Sequence, residues 1–168
     1  MYSEIFRVLK PGGVFGVYEW LMTEKYDNDD LEHRRIRIGI EQGSGVSQMV
    51  KISEAVQAIQ AAGFELELHQ DLAADDDGPS PWYWPLGSDI RYAQTMWDIA
   101  TVLRMNRWGR LVSHSFMSAL ETIRVLPAGT RQTAENLATA ADGLVAGGEK
   151  KLFTPMYLMV ARKPATQG

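Results

Sequence analysis

Directly after Pro11-Gly12-Gly13, the run Val14-Phe15-Gly16-Val17-Tyr18 is apolar with no alternation, and nothing else in the chain limits the fold as strongly. A strand with one wet face alternates apolar and polar residues. An unbroken apolar run is expected for a strand covered on both faces, which occurs mostly in parallel α/β sheets. Ile5, Phe6 and Leu9 lie on one helical face just before it, and the Pro-Gly-Gly stops that helix and turns the chain. A parallel strand needs neighbours, and its own helix already stands at residue 1. The sequence therefore reads as beginning in mid-fold.

Further on, a charged helix is expected over Leu31 to Gln42, broken by Gly43-Ser44-Gly45. A second is expected to start with Ser53 as its N-cap and to carry Val56, Ile59 and Ala62 as far as Gly63. Phe64, Leu66, Leu68 and Leu72 then alternate with Glu65, Glu67, His69 and Asp71, the pattern of an antiparallel strand near a sheet edge. Asp75-Asp76-Asp77-Gly78-Pro79-Ser80-Pro81 reads as a solvated turn. Its adjacent carboxylates diverge and lack calcium-loop spacing, so no metal is expected there. Three apolar stripes follow, each expected to face a core: Ile90, Ala93, Trp97, Ala100 and Leu103; Val112, Phe116, Ala119, Leu120 and Ile123; and Ala134, Leu137, Ala138, Ala141 and Leu144, ending at Gly147-Gly148. Leu152 to Ala161 is the last strand.

Size and composition narrow the classes. The 168 residues suffice for one domain with a real core. A net charge of −4 without a Lys/Arg block gives a nucleic-acid partner no support. The absence of cysteine excludes disulfides, thiolate metal sites and cysteine nucleophiles, and suits an intracellular, reducing compartment. The first ten residues are amphipathic and charged, unlike a secretory signal. The longest apolar stretch, from Leu152, is about half the ~20 residues that a membrane-spanning helix needs, and it contains Pro155, so any membrane contact is peripheral.

The order helix, LKPGG (9–13), apolar strand, two helices, strand, insertion, strand resembles the second half of a class I S-adenosylmethionine (SAM) methyltransferase. VYEW (17–20), EHRRIRIGIEQGSG (32–45), DLA (71–73), PWYWPL (81–86) and GLVAGGEKKLFTPMYLMVARKP (143–164) narrow the likeness to the C-terminal portion of sterol 24-C-methyltransferases. The resemblance implies an α/β, Rossmann-like fold with strands near 13–19, 64–72 and 152–162. It divides the chain into sheet and helices over 1–80, a helical substrate cap over 81–151, and a returning strand over 152–164, expected to form one structural unit overall. It further implies SAM as methyl donor, no metal, and a sterol as acceptor. A peripheral place at the endoplasmic reticulum or lipid-droplet membrane, with Arg34, Arg35 and Arg37 facing anionic lipid, belongs to the same expectation.

The family's glycine-rich donor turn is not found in this sequence: Gly43-Ser44-Gly45 lies between helices rather than after a buried strand. The donor site is thus expected to come from a missing N-terminal half, and the open strand edge from self-association or that half. A non-catalytic sterol-binding or oligomer-forming module, and a methyltransferase for another apolar acceptor, stay open as alternatives.

Methylation at an alkene carbon requires no Ser, Cys or Lys nucleophile, because the alkene attacks. It requires a dry pocket and aromatic faces that stabilise a developing carbocation. Tyr18, Glu19 and Trp20, at the carboxyl end of the apolar strand, are the first candidates, Glu19 with Tyr18 as the catalytic pair. By the two-residue period Tyr18 and Trp20 point to one side and Glu19 to the other, unless the strand ends at Tyr18. Trp82 and Tyr83, stiffened by Pro81 and Pro85, are candidates for a pocket wall. Structural packing suits the first group equally well and is the commoner reading of the second. Trp97 is expected in the core, His33, His69 and His114 at the surface, and Glu32 paired with Arg35. The eight methionines, Met156 and Met159 among them, suit either a lipid cavity or ordinary core.

Overall fold

A computed structural model describes residues 1–74 and 80–165; the Asp75–Asp77 turn expected above lies outside them. The elements are α1 (Tyr2–Val8), β1 (Val14–Met22), α2 (Leu31–Ser44), α3 (Ile52–Ala61), β2 (Glu65–Asp71), α4 (Trp84–Gly87), a single 3-10 turn (Ile90–Tyr92), α5 (Met96–Met105), α6 (Arg107–Thr122), α7 (Thr130–Glu149) and β3 (Phe153–Arg162). They group into two units: α1, β1, α3, β2 and β3 in a sheet unit, and α2 with α4 to α7 in a helical unit.

In the sheet unit the last strand takes the middle, in the order β1-β3-β2, antiparallel to both neighbours. Centrality explains why β3 is the most buried strand, with Phe153, Tyr157, Met159 and Ala161 in the core. Register slips twice. One slip sets Glu19 and Leu21 of β1 against Tyr157 and Thr154, with Pro155 in the bulged stretch, where its missing N–H costs no ladder bond. The other sits at Glu67 of β2, whose carboxylate takes the Arg162 guanidinium at 2.5 Å.

One face of this sheet packs a core of Leu21, Ala55, Ile59, Phe64, Tyr157, Met159 and Ala161. Phe64 stands edge-on to Phe6 of α1 at 5.0 Å and tilted to Phe15 of β1 at 5.7 Å. Lys163 fastens α1 from beyond β3. Its ammonium donates to the carbonyls of Phe6 and Leu9 at 2.6 and 2.9 Å, the negative end of the helix, and lies over the Phe6 ring.

Two expectations for this unit are corrected. The apolar run of β1 is not covered on both faces: Phe15 and Val17 pack inward, while Val14, Tyr18 and Trp20 are exposed. Among the described strands β1 pairs with β3, with one isolated parallel bridge from Met22 to Lys51 besides, so its apolar composition outruns the cover these residues supply. Nor does Ser53 cap α3. Lys51 holds the N-cap position without a side-chain bond, and the Ser53 amide donates instead to Glu24 Oε1 at 2.9 Å.

The helical unit is organised by α2 against α7. Asp30 caps α2 by accepting the amides of Glu32 and His33, which hold its carboxyl below the ordinary carboxylate range. The helix runs through Gly43-Ser44, where a break was expected, and stops at Gly45. That residue adopts φ 69°, open to glycine at little steric cost. Gly43 stays in the helix because of proximity: a Cβ there would come within 2.4 Å of the Ala140 Cβ and 2.5 Å of the Asn136 carbonyl. Gly143 does the same for Ile40. Likewise α7 does not end at Gly147-Gly148; both glycines are buried in a helix that reaches Glu149. Glu32 pairs with Lys150 at 3.2 Å instead of with Arg35.

The first two apolar stripes are also corrected, whereas the third, on α7, faces inward at Ala141 and is exposed at Leu137. Trp97 is 83% exposed, and Val112, Phe116 and Ile123 are 70%, 63% and 66% exposed. The period is helical as expected, but within this chain α5 and α6 turn those stripes outward, and Val102 is the buried side chain on α5.

Candidate functional site

Tyr18 and Trp20 share the outer face of β1, because the strand continues to Met22 and its alternation holds through residue 20. Trp20 stands edge-on to Phe153, ring centres 5.5 Å apart, so its ring is oriented by the central strand. Tyr18 is 60% exposed. Glu19 faces the other way, where the Tyr2 hydroxyl donates to its Oε1 at 2.5 Å. Burial, and secondarily the bond to Glu19 and its charge, push the Tyr2 hydroxyl well above the ordinary phenol range. The candidate triplet thus divides into two rings on one face and a hydrogen-bonded carboxylate on the other.

The far edge of the same sheet carries a polar cluster that patterning did not single out. His69 Nδ1 and the Tyr157 hydroxyl are 2.8 Å apart, and the buried Thr154 hydroxyl donates to Asp71 at 2.6 Å. Burial first, then the charges of Asp71 and Glu24, raises the Tyr157 hydroxyl. The alternation that put His69 at the surface was right about its exposure, but it could not report a partner 88 residues away. Met159 is fully buried in the sheet core and Met156 is 44% exposed.

Trp82 and Tyr83 belong to the helical unit, not to the unit that carries Tyr18, Glu19 and Trp20. Their rings meet edge-on at 5.3 Å. Tyr83 lies on Gly148 of α7 so closely that a Cβ there would fall 2.2 Å from its ring. Its carbonyl accepts the amides of Leu86 and Gly87, which tie the segment to α4. Burial, with the charge of Glu149 behind it, raises the Tyr83 hydroxyl. The pair is held by packing on α7 rather than free to swing.

Beside it lies a cavity of about 720 Å³. Leu86, Gly87 and Ser88 close one side, Met105 and Asn106 the corner between α5 and α6, Arg110, Leu111 and His114 the α6 wall, and residues from Ala138 to Glu149 the α7 wall. Across it the Arg110 guanidinium reaches Asp142 at 2.7 Å, and its Nε donates to the Met105 carbonyl at 3.0 Å. Sequence reading missed both residues. The signal was present, since Arg110 and His114 are one turn apart on α6 and Asp142 interrupts a small-residue run in α7. Pairing them needed the third dimension.

Among the described residues no group of three or more His, Cys, Asp or Glu is placed to hold a metal ion. The left-handed glycines Gly12 and Gly63 turn a helix into a strand, Gly45 ends α2, and Gly129 begins α7 after another helix. None joins a strand to a following helix.

Comparison with known proteins gives a consistent result. A family profile described as the sterol methyltransferase C-terminal region matches residues 100–165. A sterol 24-C-methyltransferase of Gibberella zeae is 65% identical over 164 residues, 98% of this chain and 43% of the relative. One of Aspergillus fumigatus is 61% identical over the same length and shares. The chain thus spans under half the length of the curated relatives it matches. A solved structure from Galdieria sulphuraria, assigned as a sarcosine dimethylglycine methyltransferase, superposes with a TM-score of 0.54 at 12% identity, covering 99% of this chain and 47% of that one. At that identity the likeness concerns the fold alone, the α/β fold of methyltransferases.

Proposed function

The chain belongs to the sterol 24-C-methyltransferase family, and from that premise we propose that it supplies the sterol side of a SAM-dependent methylation at the side-chain alkene of a Δ24 sterol. The observation that carries the reading is 65% identity extending over 98% of the chain to a protein of that name. The geometry supports it locally. Tyr18 and Trp20 present two ring faces near the carboxyl end of β1, where ligands of open α/β sheets bind. A cation over such a ring gains roughly 0.5–2 kcal/mol, more where water is excluded. Glu19, on the opposite face, acts by holding Tyr2 and thereby the seat of β1 on α1. Trp82 and Tyr83, pinned on α7, form a rigid aromatic wall.

The methyl group would come from SAM, bound by sequence other than the described residues. The same reading includes a peripheral contact with the membrane in which sterols reside, supported by the outward apolar stripe of α6. No described helix is long and apolar enough to cross a membrane.

The test is a chimera. This chain replaces the corresponding 43% of the Gibberella zeae relative, and methyl transfer from labelled SAM to a Δ24 sterol is measured. Retained C24 methylation is the expected result. A chimera that folds, binds SAM and binds the sterol without transfer would favour a non-catalytic sterol-binding module. Transfer to a different apolar acceptor in a panel would keep the reaction and change the substrate.

A further inference from the structure

We propose that the cavity between α6 and α7 holds the hydroxyl-bearing end of a neutral, largely apolar ligand, with the Arg110–Asp142 pair as its polar anchor; for a sterol this is the ring-hydroxyl end, and the assignment rests on the acceptor-side reading above.

Shape comes first. At about 720 Å³ the cavity lies in the range, roughly 300–1,000 Å³, of sites that take small organic ligands. Its α7 wall is a single stripe, Ala138, Asp142, Val145 and Glu149, spaced i, i+4, i+7 and i+11. The opposite side of α7 is occupied by its close approach to α2 at Ala140 and Gly143. That wall therefore rests on a fixed helix. Leu86, Met105, Leu111 and Val145 give the interior an apolar character, and Met105 can adjust its shape to a rigid body.

The polar end then selects the chemistry. Arg110 is gripped from two elements, by the Met105 carbonyl at the end of α5 and by Asp142 of α7, whose side chain is 67% exposed, so the guanidinium's orientation is set at the open end of the cavity before any ligand arrives. A guanidinium has five N–H donors and a carboxylate about four acceptor positions; one bond between them leaves both with capacity. A hydroxyl is the smallest neutral group that uses both at once, donating to Asp142 and accepting from Arg110. A bound anion would meet the carboxylates of Asp142 and Glu149, and an ether could accept from Arg110 but not donate to Asp142. His114 lines the same wall with no hydrogen-bond partner among the described residues, and adds a further group for the hydroxyl.

The experiment is a binding titration of the 168-residue chain with desmosterol, a Δ24 3β-hydroxysterol, and with its 3-methyl ether and 3-sulfate. Losing a hydrogen bond to a charged group weakens binding roughly tenfold or more, so the ether and the sulfate should each bind at least about tenfold more weakly than the alcohol. Ala146→Leu, which fills the cavity, should abolish binding. Arg110→Met combined with Asp142→Leu should bring alcohol and ether to equal affinity. Thermal melting reports whether each variant folds, and where one does not, the ligand series on the unmodified chain still decides. Alcohol and ether binding alike, or a folded Ala146→Leu variant that binds normally, would overturn the cavity assignment and leave the sterol-side function standing. No binding of desmosterol at all would remove both.

Discussion

Tyr157, Met159 and Ala161 of the central strand β3 are no more than 6% exposed, while Trp97, Trp108, Val112 and Phe116 of α5 and α6 are at least 63% exposed. Both sets are strongly apolar and both follow the period of their element. The sheet unit finishes its own core: β3 is flanked by two strands, and α1 and α3 close one face with Phe6, Ala55 and Ile59. Among the described residues the helical unit is closed most tightly along α2 and α7, where glycines and alanines let two backbones approach. An apolar stripe tells that a helix has a partner surface. It does not tell that the partner lies in the same stretch of chain.

The largest test of this contrast is Met159→Ala, which empties a fully buried position in the middle of β3. Unfolding by denaturant should show a loss of about 2–5 kcal/mol. Next is Gly43→Ala at the α2–α7 approach. A better helix former gains up to ~1 kcal/mol, but the clash with Ala140 and the Asn136 carbonyl should dominate, for a net loss of about 1–3 kcal/mol in the same assay. A comparable cost, about 1–3 kcal/mol, is expected for Thr154→Val, which keeps the volume and deletes the bond to Asp71 together with the one accepted from the Met156 amide.

The dependence on pH follows from Tyr2 and Tyr157, whose hydroxyls are raised in the folded chain. A neutral phenol buried this way contributes stability that is fully present below about pH 10, where the unfolded chain's phenols begin to ionise, and is lost as pH rises toward the folded value. Stability measured from pH 9 upward should therefore fall, and less steeply in Tyr2→Phe. The smallest effects are reserved for the outward stripe. Trp97→Ser and Phe116→Ser should change stability by no more than about 0.5 kcal/mol while shifting sedimentation toward smaller species. A large loss of stability in either would mean that the stripe is covered within the chain, and would erase the contrast.

The site was legible to an uneven degree. The period of a strand sufficed to send Tyr18 and Trp20 to one face and Glu19 to the other, because that alternation is local geometry. The prolines around Trp82-Tyr83 signalled a stiff segment, but its seat on Gly148 could not be read from residues 65 positions apart. The ion pair Arg110–Asp142 was invisible for the same reason.

By itself the sequence determined which residues form helix and which form strand, since turns, caps and hydrophobic period act within a few residues. LKPGG ended α1 and opened β1, Asp30 began α2, and alternation marked β2. Only the tertiary structure decided what those elements face. It set β3 between β1 and β2, buried Gly43 and Gly143 where two helices meet, turned the stripes of α5 and α6 outward, and brought Arg110 to Asp142 across a cavity. The physical reason is range. Backbone preference is set by neighbours along the chain, whereas burial and charge pairing depend on surfaces that meet only after distant segments have packed.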